Sequence, residues 1–184
     1  MSMTVNSPGD ATEPREIVLE ADGWTLPPFP PDAAVGAATA AGDAAAKALG
    51  LADGHGWAVL LADDAVLARL NADYRGKDQP TNVLSFPAFT PDAIPSAGGH
   101  LGDIAIAVET VIAEALDAGK SPIHHLAHMV IHGVAHLAGL DHEIDAEAAT
   151  MEALEVRALA KLGMPNPYEG DEMDGGTREA FERQ

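Results

Sequence analysis

Apolar residues recur along this chain in two rhythms, and the rhythm assigns the elements. Glu16 to Glu20 (EIVLE) has the length and content of a short strand. Trp57 to Ala62 (WAVLLA) is a continuous apolar run of strand length and reads as a buried strand. Asp63 then stands as a cap ahead of a helix to about Tyr74, with Val66, Leu67 and Leu70 on one face. Asn82 to Phe86 (NVLSF) and Leu101 to Val108 (LGDIAIAV) read as two further strands. The Pro-, Gly-, Ser- and Ala-rich stretch between them reads as a flexible loop. Helices are expected from about Glu109 to Ala118, from a Ser121 cap with Pro122 in the first helical position, and from about Asp145 to Leu162. Earlier in the chain, Leu26 to Pro31 reads as a Pro-rich linker, and Asp32 as the N-cap of an Ala-rich helix ending near Gly50. Residues 1–14 and 169–184 carry small, polar and acidic residues and read as disordered tails. The interleaving of strands and helices predicts an α+β fold, one small mixed sheet packed against several helices, in a single domain over residues 15–168.

Composition narrows this picture. A chain of 184 residues supports one domain with a real core. It has no cysteine, which excludes disulfides and thiolate metal sites and suits the cytoplasm. The N-terminus has no hydrophobic stretch of the signal-peptide kind, and the longest apolar run is far too short to span a bilayer, so no membrane association is expected. The formal charge of −19 repels nucleic acid at long range. The middle third of the chain is the least acidic, and there Arg69, Arg75 and Lys77 stand among several histidines, so an anion site is sought in that region.

The segment His132 to His142 reads HGVAHLAGLDH. Residues four apart on a helix share a face, so the imidazoles of His132 and His136 reach one ion together. Gly139 adopts a left-handed backbone at little cost; it ends the helix and lets the chain bring His142 back to the same ion. Three imidazoles with a fourth position left open describe a catalytic zinc site, with one ion per chain. The spacing equals that of the metzincin proteases, H-E-x-x-H-x-x-G-x-x-H, but Gly133 stands where their glutamate base stands. Glycine cannot take a proton from water, which counts against a metallopeptidase-like hydrolase. A binding protein with structural zinc is the other alternative; such a site normally has four protein ligands, and only three are visible here.

The same HGVAHLAGLDH segment resembles the signature of the YbeY family, bacterial endoribonucleases of ribosomal RNA maturation. So do Leu70 to Pro87 (LNADYRGKDQPTNVLSFP), Leu101 to Ile106 (LGDIAI) and Met151 to Tyr168 (MEALEVRALAKLGMPNPY). The resemblance covers roughly residues 55–168. It implies a small sheet with helices and a metal cleft formed by the His-bearing helix and the turn after it. It implies His132, His136 and His142 as ligands, and Arg75 as the functional arginine of the R-G-K-D segment. The implied activity is zinc-dependent cleavage of single-stranded RNA, in processing the 3′ end of 16S ribosomal RNA and in ribosome quality control. The small ribosomal subunit is the implied partner, and the chain is expected to act as a monomer.

Other residues take lesser expectations. The guanidinium of Arg75 matches phosphate oxygens with paired hydrogen bonds. Asp141, next to His142, either orients a ligand imidazole and helps activate water or caps the turn. His124 and His128 extend the i, i+4 series backwards with no turn glycine at the right distance, so a supporting role is assigned. Asp103 is expected in a structural hydrogen bond. Ser85 has no paired base in the sequence, and Trp24 and Trp57 are expected in the core.

Overall fold

The computed structural model describes residues 3–6, 15–30, 32–51, 54–94, 98–142 and 144–169. Among these residues ten strands and α-helices follow one another: β1 (Met3–Asn6), β2 (Arg15–Leu19), α1 (Ala33–Leu49), β3 (His55–Ala62), α2 (Asp64–Arg75), β4 (Val83–Pro87), β5 (Gly99–Ala107), α3 (Val108–Asp117), α4 (Pro122–Leu137) and α5 (Asp145–Lys161). The five strands form one mixed sheet in the order β1-β2-β3-β5-β4. The inner strands β2, β3 and β5 run parallel, and β1 and β4 pair antiparallel at the two edges. The expected α+β architecture is the one observed.

The sheet separates two layers because side chains alternate along a strand. On β3, Trp57, Val59 and Leu61 point into the larger core, and Leu60 and Ala62 into the smaller one. On β5, Ile104 and Ile106 face the larger core, and Ala105 and Ala107 the smaller. Helix α2 covers the smaller core through Leu67 and, half-buried, Val66 and Leu70. The larger core is built from α1, α4 and α5. Every residue from Leu126 to Ala135 is buried, so α4 is the central helix, packed on all sides. The alanines of α1 have a packing reason: Ala34, Ala38, Ala41 and Ala45 are fully buried. Gly42 lies so close to Trp57 that a Cβ there would stand 2.9 Å from its indole nitrogen.

Several expectations are corrected. Residues 3–6, placed in a disordered tail, pair with β2 through backbone hydrogen bonds that ask little of side-chain composition. The rest of 1–14, and residues 170–184, lie outside the described residues. Leu26 to Pro30 is no open linker: Phe29 is buried against Trp24, with ring centroids 5.0 Å apart. Asp32 makes no side-chain cap bond and has left-handed backbone with φ 61°. The chain enters α1 through a turn in which Ala33 N–H donates to the Pro30 carbonyl, so the backbone supplies that partner. Ser121 likewise precedes α4 without a side-chain cap bond. Asp63 does cap α2, accepting from Val66 N–H at 2.8 Å.

Candidate metal centre

Helix α4 positions the first two histidines. His132 and His136 lie one turn apart near its C-terminal end, with ring centroids 4.6 Å apart. The helix stops at Gly139, whose φ of 82° is the left-handed value expected of it. Gly139 N–H closes onto the His136 carbonyl and Leu140 N–H onto that of Ala135, satisfying carbonyls at the helix end. The position suits only glycine for a second reason, since a Cβ would stand 2.9 Å from Pro91. The turn returns His142 to within 5.5 Å of the His132 ring and 5.1 Å of the His136 ring. One ring nitrogen from each of the three lies within 4.8 Å of the other two.

The hydrogen bonds behind these rings test whether a metal fits. His132 Nδ1 lies 2.8 Å from Glu155 Oε1, and His136 Nδ1 lies 3.0 Å from the Leu140 carbonyl. An ionised carboxylate and a carbonyl can only accept, so each ring carries its proton on Nδ1. Each Nε2 then presents a lone pair, and the two Nε2 atoms face one another at 3.1 Å. Two lone pairs at that separation repel unless a cation lies between them. Protonation of His136 itself is disfavoured: burial, then the charges of His132 and His142, push its pKa down to about 4, against weaker opposing effects of Asp141 and the Leu140 carbonyl. The donor set therefore fits a divalent metal that accepts imidazole nitrogen, such as zinc.

The three histidines line one wall of an open cleft of about 940 Å³. Arg75, the last residue of α2, lines the same cleft, as do Ser85 and Phe89. Arg75 is exposed, and its side chain makes no hydrogen bond or ion pair among the described residues. Asp141 is exposed at the cleft, and its Oδ1 accepts from the backbone N–H of His142 at 2.8 Å, holding the turn. Asp103 pairs with His100 at 2.9 Å, away from the three histidines. Trp24 and Trp57 are both buried in the core, as expected.

His128 stays outside the three-histidine group. It is buried, and its Nε2 lies 3.0 Å from Glu155 Oε2. Glu155 itself was not singled out from the sequence. It is 1% exposed, and besides the two histidines it accepts from the Tyr168 hydroxyl. Burial pushes its carboxyl pKa up, but the hydrogen bonds and charges of His128 and His132 outweigh that and hold it well below the usual carboxylate range. A readable signal existed. Met151, Leu154, Ala158 and Leu159 form the buried stripe of α5, and Glu155 stands on that stripe, not on the solvent face.

Fold and centre together define a small α+β protein with a cluster of three histidines, able to hold a metal ion, at the end of its central helix. The family described as Endoribonuclease YbeY matches residues 32–163. The Endoribonuclease YbeY of one strain of Rhodopseudomonas palustris is 47% identical over 158 residues, covering 85% of this chain and 82% of that protein. That of Azorhizobium caulinodans is 46% identical over 156 residues, covering 83% and 94%. The solution structure of TM1509 from Thermotoga maritima superposes with a TM-score of 0.51 at 23% identity, covering 88% of this chain and 98% of that one, and shares the fold. The chain belongs to the endoribonuclease YbeY family.

Proposed function

We propose that this protein is a zinc-dependent endoribonuclease acting on single-stranded RNA, with ribosomal RNA in the context of the small ribosomal subunit as its substrate. Family membership makes it an enzyme, a hydrolase of phosphodiester bonds. The observation that carries the fuller reading is the sharing of one open cleft by Arg75 and the cluster of His132, His136 and His142. Residues 15–168 are taken as the catalytic domain, which encloses the matched span of 32–163. No helix among the described residues is long and apolar enough to cross a membrane.

His132, His136 and His142 would hold one zinc ion through a nitrogen of each ring. Bound there, zinc supplies Lewis-acid polarisation of the phosphodiester and an activated water. The chain's own residues do the rest. Arg75 lines the same cleft with its fork of donors unengaged among the described residues, and would bind the phosphate and neutralise charge as it builds up in the transition state. Asp141 fixes the peptide of His142 and leaves carboxylate surface at the cleft, where it would hold a proton released during attack. The cleft is open, which suits an unpaired strand whose bases can splay.

Gly133 disfavours the peptidase reading on packing grounds as well as chemical ones. It is buried beneath the sheet, so no side chain at that position would reach the cleft. The deciding experiment is cleavage of ribosomal RNA by metal-stripped and zinc-restored protein. Cleavage that returns with zinc is expected, and zinc-restored protein that leaves RNA intact but digests casein would overturn the reading.

A further inference from the structure

We propose that Glu155 is a positioning residue of the metal centre: it fixes His132 in the tautomer that turns Nε2 towards the ion, and Tyr168 and His128 hold the Glu155 carboxylate in place to do so. The inference rests on the metal-site reading above.

Glu155 lies 23 residues from His132 in the chain, and only the packing of α5 across α4 brings them together. Both carboxylate oxygens are engaged. Oε1 accepts from His132 Nδ1 at 2.8 Å; Oε2 accepts from His128 Nε2 at 3.0 Å and from the Tyr168 hydroxyl. A buried charge persists only when such partners replace water. A carboxylate that merely stapled two helices could hold any donor. This one holds the ring nitrogen of His132 that points away from His136, leaving the other nitrogen for the metal.

The two helix-borne ligands are therefore oriented by different acceptors. His136 leans on a neutral carbonyl from its own turn, His132 on a buried anion from another helix. A charged acceptor behind an imidazole raises its basicity and strengthens it as a ligand. Tyr168 adds a longer link. It belongs to the segment after α5, which is tied down separately where Lys120 Nζ donates to the Pro167 carbonyl at 2.6 Å. That segment thereby reaches a metal ligand through one intervening carboxylate.

The test uses the full chain with Glu155→Gln and Tyr168→Phe. Glutamine keeps the shape but has a single acceptor oxygen and no charge, so it cannot serve all three donors. Three quantities are read at neutral pH: the His132 tautomer in metal-free protein by proton–nitrogen correlation spectra, zinc affinity by competition with a chromophoric chelator, and the melting temperature of the metal-free protein. We expect the wild type to show His132 protonated on Nδ1. Glu155→Gln should populate both tautomers and lose about 10- to 100-fold in zinc affinity. Tyr168→Phe should keep the tautomer and lose affinity by a smaller factor. Wild-type zinc affinity in Glu155→Gln, even with a lowered melting temperature, would overturn the proposal, as would an unchanged tautomer. If Glu155→Gln fails to fold, wild-type affinity in Tyr168→Phe overturns it instead. A wild type that takes up no zinc defeats the metal-site reading, and the tautomer measurement still decides the role of Glu155.

Discussion

Gly133 on α4 packs directly against Ile104 on β5, so closely that a Cβ at Gly133 would stand 2.8 Å from Ile104 Cδ1, 2.9 Å from Cγ2 and 3.1 Å from Cγ1. Both branches of the isoleucine crowd the position, so rotating one away brings no relief. The glycine that separates this motif from the metzincin pattern is thus fixed by helix–sheet contact. Gly133→Ala sets overpacking of about 1–3 kcal/mol against a gain of about 1 kcal/mol in helix propensity. The net is a destabilisation of about 1 kcal/mol, a fall of about 2–4 °C in melting temperature. Thermal denaturation checks it, and an alanine variant as stable as the wild type would show that the contact relaxes. Gly133→Glu should not yield soluble protein, because a longer, charged chain would enter the same contact.

Metal removal should be visible in stability as well as activity. The three donors come together only in the folded chain, so zinc held by them would bind the native state and shift the equilibrium towards it. With free zinc at a hundred times its dissociation constant, the stabilisation is about 2.7 kcal/mol, or roughly 5–10 °C for a chain of this size. Chelation should reverse it. His132→Ala, His136→Ala and His142→Ala should each lower zinc content sharply by elemental analysis, and full retention in all three would refute the assignment.

Much of this was legible in the sequence because the signals are local. The spacing from His132 to His142 and the turn at Gly139 depend on one helix and its end, and both appear as read. The β3 and β5 strands declared themselves by apolar content, which sheet alternation then sorted between two cores. Non-local relations were not legible. Trp24 and Phe29 pack together although their proline-rich surroundings read as a linker, since prolines describe backbone freedom and say nothing of what a flanking aromatic finds to bury against. Glu155 sits among ordinary helix acids such as Glu147 and Glu152, and only its place on a buried stripe sets it apart. Asp32 had the right side chain for a cap, but the incoming turn supplies a backbone carbonyl first.

The pH response of the metal-free protein should carry the signature of His136. Its folded pKa is about 4 against an ordinary 6.5. Between those values the unfolded chain takes up a proton that the folded chain refuses, so stability falls as pH drops from about 6.5 towards 4. Glu155 acts lower, since an unfolded glutamate gains its proton only near 4.5. Melting temperatures of metal-free wild type and His136→Asn, compared from pH 7 to 5, should show a shallower decline in the variant. Parallel curves would mean that His136 titrates normally in the fold.

Arg75 offers the cleanest separation of chemistry from structure. It is exposed at the end of α2, and Gly76, with φ 69°, closes that helix without help from the arginine side chain. Among the described residues the guanidinium has no hydrogen-bond or ion-pair partner, so removing it breaks nothing in the fold. Exposed substitutions of this kind usually change stability by less than about 0.5 kcal/mol. Yet among the described residues Arg75 is a cation lining the cleft of the three histidines, in a chain whose net charge of −19 otherwise repels RNA. Two effects should follow from Arg75→Ala. Cleavage of unstructured RNA should drop by about a hundredfold or more, the scale seen when one transition-state donor is removed. Zinc content and melting temperature should stay at wild-type values. Arg75→Lys should recover only part of the rate, because an ammonium offers one charge centre where the guanidinium offers a planar pair of donors. Wild-type cleavage by Arg75→Ala would remove this residue from the mechanism, and loss of zinc along with activity would mean that it supports the centre structurally.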